Sequence, residues 1–265
     1  MSDPVWISLL PIVILNTVFG ISIIAFLIAR KKRNMQPPEY LTSRHTSRIL
    51  SMSLKHWWLW QIEPLVKLLI RFGFTPNIIT LTGFLIGGVA AFIFARGWFG
   101  YAGWVLFLGA TFDMFDGLVA RSTGQISRSG ALFDSVMDRF TEGIVFLGLA
   151  YYFRETWWMV AVIIVAIIGS MIVSYARARG EGVGVQVKIG MMQRPERIVY
   201  LGVASIFEPL TTPLSLYFSD HPFPFLPIAA LCFIALMSNI TGIYRMLYVM
   251  RILDREDFPS VLKNK

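Results

Sequence analysis

Four aspartates, Asp113, Asp116, Asp134 and Asp138, fall in two neighbouring apolar stretches of the chain. A carboxylate inside an apolar segment is costly and ordinarily faces a cavity or a partner. On helices of about 3.6 residues per turn, Asp113, Asp116, Gly117 and Ala120 share one face, and Gly130, Asp134 and Asp138 share a face of the next helix. Two acidic faces side by side repel each other unless positive charge lies between them. Oxygen ligands suit Mg²⁺, Mn²⁺ or Ca²⁺, and no Cys or His cluster competes for a softer metal. Gly117, Ala120 and Gly130 leave space beside the carboxylates. That space admits a phosphate-bearing ligand or lets the helices pack closely, and for each glycine alone close packing is the commoner use.

The rest of the chain is suited to hold such a site in a membrane. Of 265 residues, 55% are hydrophobic and 15% charged, against about a quarter charged in a soluble domain. Several apolar stretches reach the roughly 20 residues that cross a bilayer core of about 30 Å. An all-α integral membrane protein is expected. The first span runs from Val5 to Ala29, with Arg30, Lys31, Lys32 and Arg33 as a stop-transfer flank. A polar linker containing Pro37 and Pro38 follows. From Ile49 to Arg71, Trp57, Trp58 and Trp60 mix with Lys55, Lys67 and Arg71. That mixture predicts an interfacial helix, bent at Pro64, with tryptophan at the headgroup layer. Six core spans are expected over Pro76–Phe94, Tyr101–Ala120, Ala131–Phe153, Trp157–Tyr175, Pro195–Leu216 and Pro224–Met250. The expected division is 1–33 N-terminal span, 34–75 linker and interfacial helix, 76–255 catalytic membrane domain, and 256–265 tail.

The net charge of +8 belongs to cytoplasmic loops rather than to nucleic-acid binding, because Lys and Arg collect on the cytoplasmic side of membrane proteins. With the first basic cluster inside, alternation brings Arg121, Arg128, Arg177, Arg179, Lys188, Arg194 and Arg197 to the same side, with Arg251, Arg255, Lys263 and Lys265. Only Arg96 and Arg154 are left outside. The N-terminus is therefore expected outside and the C-terminus inside. The single cysteine, Cys232, excludes an intramolecular disulfide and is expected to pack as a small hydrophobe.

The segment Asp113 to Asp138 reads D-M-F-D-G-L-V-A-R, eight residues, G, three residues, D, three residues, D. It resembles, at every fixed position, the signature of the CDP-alcohol phosphatidyltransferases. Chance agreement at its eight fixed positions is on the order of 10⁻¹⁰. The six-span layout also resembles that family, while the extra first span departs from its six-helix core. The resemblance implies transfer of a phosphatidyl group from CDP-diacylglycerol to an alcohol, with release of CMP, on two Mg²⁺ or Mn²⁺ ions. It implies that Asp113, Asp116, Asp134 and Asp138 hold the metals and that Asp138 acts as general base. It places Asn77, Thr80, Asp116, Gly117, Ala120, Arg121 and Gly130 beside the nucleotide and diphosphate. For Asn77 and Thr80, capping of the helix that begins at Pro76 is an equal account; for Arg121, the alternative is a cytoplasmic-side anchor. A homodimer, a cytoplasmic membrane and a site facing the cytoplasm are further expectations.

The signature is silent on the acceptor alcohol. Arg177, Arg194 and Arg245 are read as a pocket for a phosphorylated acceptor: Arg194 precedes a proline where a helix would start, an arrangement suited to phosphate, and Arg245 lies inside a span. Arg179, Lys188 and Arg197 are read as cytoplasmic anchors. These segments, with the Asp138–Arg139 pair, resemble the inositol-phosphate-using branch of the family. Glycerol 3-phosphate is the rival acceptor. A cation transporter would also use intramembrane aspartates, but it would not need the arginines. A membrane prenyltransferase would space its aspartates differently, and a structural anchor leaves four buried carboxylates unexplained.

Overall fold

The computed structural model describes residues 6–33, 52–187, 189–215 and 223–257. The linker prolines, Lys188, Lys263, Lys265 and the expected helix start at Ile49 lie outside the described residues. The described residues form eight helices: α1 Trp6–Arg33, α2 Met52–Arg71, α3 Pro76–Ala95, α4 Phe99–Thr123, α5 Arg128–Tyr152, α6 Trp157–Gly182, α7 Arg194–Ser215 and α8 Phe225–Asp257. Among the described residues, four stretches are long and apolar enough to cross a membrane: Pro76–Ala95, Phe99–Thr123, Trp157–Gly182 and Phe225–Arg255. Helices α5 and α7 have comparable length but carry charge, Asp134, Asp138, Arg139 and Glu142 on one and Arg194, Glu196, Arg197 and Glu208 on the other. The site chemistry itself lowers their hydropathy.

Helix α3 packs on α4 and α5, α4 also packs on α7, and α6 runs along α8, which touches α7. Phe94, Phe99, Leu149, Met159, Ile163, Leu231 and Ile234 form the buried apolar centre of this bundle. Small residues allow the close approaches on which the site depends. A Cβ at Gly148 of α5 would collide with the Ala91 carbonyl of α3, and one at Gly103 of α4 would stand 2.8 Å from the Gly202 carbonyl of α7. Backbone cannot yield there as a flexible side chain can. Gly148→Ala should therefore destabilise the protein by about 1–3 kcal/mol, read as earlier thermal unfolding in detergent. Gly88→Ala, where a Cβ meets open space, should leave the transition in place.

Helix ends are closed by local chemistry. Thr75 caps α3 by accepting from the Ile78 N–H, and Ser127 caps α5 by accepting from the Gly130 N–H. Gly124, left-handed at φ 69°, ends α4 and turns the chain towards α5. The start of α8 is capped from another helix: Glu208 of α7, buried at 3% exposure, accepts from the Leu226 N–H at 3.0 Å.

Trp57 is buried, and its indole N–H donates to Ser22 of α1 at 2.9 Å. Trp60 meets Phe26 of α1 with ring centroids 5.7 Å apart. These tryptophans join α2 to α1, because an indole ring offers both a large apolar surface and a donor. Cys232 is exposed on α8 rather than packed in the core; its neighbour Leu231 takes the inward position.

Candidate active site

Helix α4 carries Asp113 and Asp116, one turn apart, and α5 carries Asp134 and Asp138, also one turn apart. Asp113, Asp116 and Asp134 each offer a carboxylate oxygen, and these three oxygens lie within 4.8 Å of one another. Asp116 is the deepest, 6% exposed. Its Oδ2 accepts a hydrogen bond of 2.6 Å from the Thr80 hydroxyl of α3, and its Oδ1 accepts from the Gly117 N–H. The donor set is oxygen only, anionic and partly withdrawn from solvent. It fits a hard divalent cation.

Asp138 stands beside this trio, joined to it through Arg194 at the first position of α7. Arg194 Nη1 donates to Asp113 Oδ2 and lies 2.7 Å from Asp138 Oδ1. The second contact is an ion pair rather than a hydrogen bond. Arg139 Nη1 reaches the other oxygen, Asp138 Oδ2, at 3.3 Å. Arg194 was expected with Arg177 and Arg245; its guanidinium instead faces the aspartates.

A cavity of about 780 Å³ opens against two of the four carboxylates, Asp116 and Asp134. Its wall contains Asn77, Thr80, Asp116, Gly117, Ala120, Arg121 and Gly130, the seven residues that sequence reasoning grouped for nucleotide and diphosphate, together with Asp134. A Cβ at Gly117 would stand 3.3 Å from Arg121 Nη1, the far end of a flexible side chain, and one at Gly130 would stand 2.9 Å from Ser127 Oγ, the hydroxyl that caps α5. Thr75, Gln125 and Ser127 also line the cavity and were missed. The capping pattern of Thr75 and Ser127, a hydroxyl just before a helical run, was a signal that could have found two of them.

The remaining arginines separate by environment. Arg177 is exposed and pairs with Glu181 one turn later at 2.9 Å. Arg245 is 2% exposed; its Nε donates to the Ile189 carbonyl at 2.7 Å and its Nη1 to the Val173 carbonyl at 2.8 Å. Arg197 corrects the expectation of an exposed anchor. It is 3% exposed, with Nε 2.6 Å from Glu142 Oε1 and Nη2 2.9 Å from Glu142 Oε2. Its Nη1 donates to the Met192 carbonyl at 3.0 Å. Burial of this arginine follows from a carboxylate in fork geometry on a different helix.

Residues 73–250 match the family model described as CDP-alcohol phosphatidyltransferase. A phosphatidylinositol phosphate synthase of Mycobacteroides abscessus is 36% identical over 150 residues, which are 55% of this chain and 68% of that protein. An archaetidylinositol phosphate synthase of Pyrococcus horikoshii is 37% identical over 56% of this chain and 77% of its own length. A phosphatidylinositol phosphate synthase of Cutibacterium acnes is 32% identical over 73% and 94% respectively. Among solved structures, the phosphatidylinositol phosphate synthase of Mycobacterium tuberculosis in complex with manganese and citrate superposes with a TM-score of 0.62 at 28% identity, covering 71% of this chain and 88% of the other. The same enzyme with CDP-DAG bound gives a TM-score of 0.61 at 28% identity, over 70% and 92% of the two chains.

Proposed function

Because the chain belongs to the CDP-alcohol phosphatidyltransferase family, we propose that it transfers the phosphatidyl group of CDP-diacylglycerol to the hydroxyl of inositol 1-phosphate, releasing CMP. One observation carries the reading: Asp116 and Asp134 belong both to the carboxylate cluster and to the wall of the cavity. A diphosphate lying in that cavity meets the cluster at its phosphorus atoms. The acceptor is supported by the names of the similar proteins, phosphatidylinositol phosphate synthases among them.

Asp113, Asp116, Asp134 and Asp138 would hold two Mg²⁺ or Mn²⁺ ions. When bound, such ions neutralise the diphosphate and stabilise the attacking and leaving oxygens of the displacement. The chain's own groups do the rest. Arg121, beside Gly117, pairs with diphosphate oxygen. Thr80 holds Asp116 in one rotamer. Asp138 takes the proton of the acceptor hydroxyl. The acceptor oxygen then bonds to the lipid-side phosphorus, the bond from that phosphorus to the bridging oxygen breaks, and CMP leaves with the oxygen. Arg177, Arg194 and Arg245 attract the acceptor's phosphate.

In the proposed placement α3 to α8 are six spans of a domain covering 76–255, α1 in 1–33 is an additional span, α2 in 34–75 lies at the interface, and 256–265 is a tail. The N-terminus is outside, the C-terminus inside, the site faces the cytoplasm, and two copies pair in the membrane.

The test is CMP release by the purified protein from CDP-diacylglycerol and Mg²⁺ with inositol 1-phosphate, glycerol 3-phosphate, inositol or serine. Inositol 1-phosphate should give the highest kcat/KM, exceeding inositol and serine by at least about tenfold, since a site built for a charged group rejects analogues lacking it. Preference for glycerol 3-phosphate would keep the reaction and replace the acceptor.

A further inference from the structure

Both oxygens of Asp138 are engaged by arginines, Oδ1 by Arg194 at 2.7 Å and Oδ2 by Arg139 at 3.3 Å. The trio of Asp113, Asp116 and Asp134 groups its oxygens without Asp138. Arg194 is not a casual neighbour. Its side chain is 16% exposed, it also bonds Asp113 Oδ2, and its Nε is buried without a hydrogen bond. Its backbone is fixed as well, because Arg197 one turn later is locked to Glu142 and to the Met192 carbonyl just before α7. The four carboxylates therefore differ: Asp113, Asp116 and Asp134 group one oxygen each for a cation, with Arg194 on Asp113 Oδ2, whereas Asp138 has an arginine on both of its oxygens.

We propose that the Arg194 guanidinium is a resident rival of the second cation, so that one ion binds Asp113, Asp116 and Asp134 tightly and the other reaches Asp138 only as Arg194 withdraws. This rests on the assignment of the aspartates as the metal site. A lone pair facing a guanidinium cannot also coordinate an ion, and a fixed positive charge repels a dication nearby. The two ions are consequently unequal in affinity. The exchange also sets Arg194 free for another anion, so cation loading and capture of a phosphate strengthen each other reciprocally.

Calorimetric titration of the full chain in detergent with Mn²⁺ tests this without any turnover. The wild type should show one tight and one weaker class of ion. Arg194→Gln should tighten the weaker class by about tenfold, the size of a coupling between adjoining sites, and change the tight class less. Arg194→Lys keeps the charge and should stay near the wild type. Asp138→Asn should abolish the weaker class and keep the tight one. Weaker binding in Arg194→Gln, or two equal classes in the wild type, would overturn the proposal by making Arg194 a positioner of the ligands. Wild-type titration by Asp116→Asn would instead overturn the metal-site assignment beneath it.

Discussion

Asp138→Asn should lower CMP release by about a thousandfold, within the range contributed by a positioned general base, while the protein still folds. The replacement is isosteric. It removes the negative charge that faces Arg139 and Arg194 and the capacity to take a proton from the acceptor hydroxyl. The Asp113–Asp116–Asp134 grouping does not include Asp138, so binding of a first Mn²⁺ should survive. The expected signature is lost kcat with a retained tight ion, read by initial rates and calorimetry on one preparation. A variant that turns over at a tenth of the wild-type rate or better would remove Asp138 from the proton-transfer role.

Breaking the Glu142–Arg197 pair should produce the largest loss of stability. The pair joins α5 to α7 with side chains 10% and 3% exposed. Glu142→Gln leaves a buried guanidinium without its counter-charge, and Arg197→Met leaves a buried carboxylate. Each should cost about 3–5 kcal/mol, because the stranded ion keeps its desolvation penalty. The double replacement Glu142→Leu with Arg197→Met should recover much of that loss, since a well-packed apolar pair of similar volume is often no less stable. Thermal unfolding of the three variants in one detergent decides the matter. Equal melting of the single and double variants would show that the pair is not a coupled unit. Arg197 fixes the helix that presents Arg194 to the aspartates, so single variants that fold should also lose activity.

The aspartate faces were legible because they depend on helical spacing alone. Once α4 and α5 are helices, Asp113 and Asp116 must share a face, and so must Asp134 and Asp138. The cavity wall was legible for a different reason: Gly117, Ala120 and Gly130 occur at fixed distances from those aspartates. The arginines were not legible in the same way. The environment of Arg197 is set by Glu142, 55 positions earlier, and nothing in the local sequence names that partner. Arg194 was correctly placed at the start of a helix, but its direction depends on how α7 packs against α4, which carries Asp113. The hydropathy of α5 and α7 is depressed by the charges they carry, which is why neither stands among the four apolar spans found in the described residues. Trp57 illustrates a further limit: an amphipathic ring suits both a headgroup layer and a helix interface, and nothing in the local sequence names Ser22, 35 positions earlier, as its partner.

In the proposed reaction the acceptor oxygen attacks the lipid-side phosphorus of CDP-diacylglycerol at the aspartate cluster. The most direct measurement labels that phosphorus alone and follows it through one incubation with Mg²⁺ and inositol 1-phosphate. The label should move entirely into a lipid carrying a second, unlabelled phosphate, the CMP released should be unlabelled, and chelation of the metal should stop both. Label in phosphatidic acid, with the cytidylyl group joined to the acceptor, would place the attack on the other phosphorus and overturn the proposed reaction.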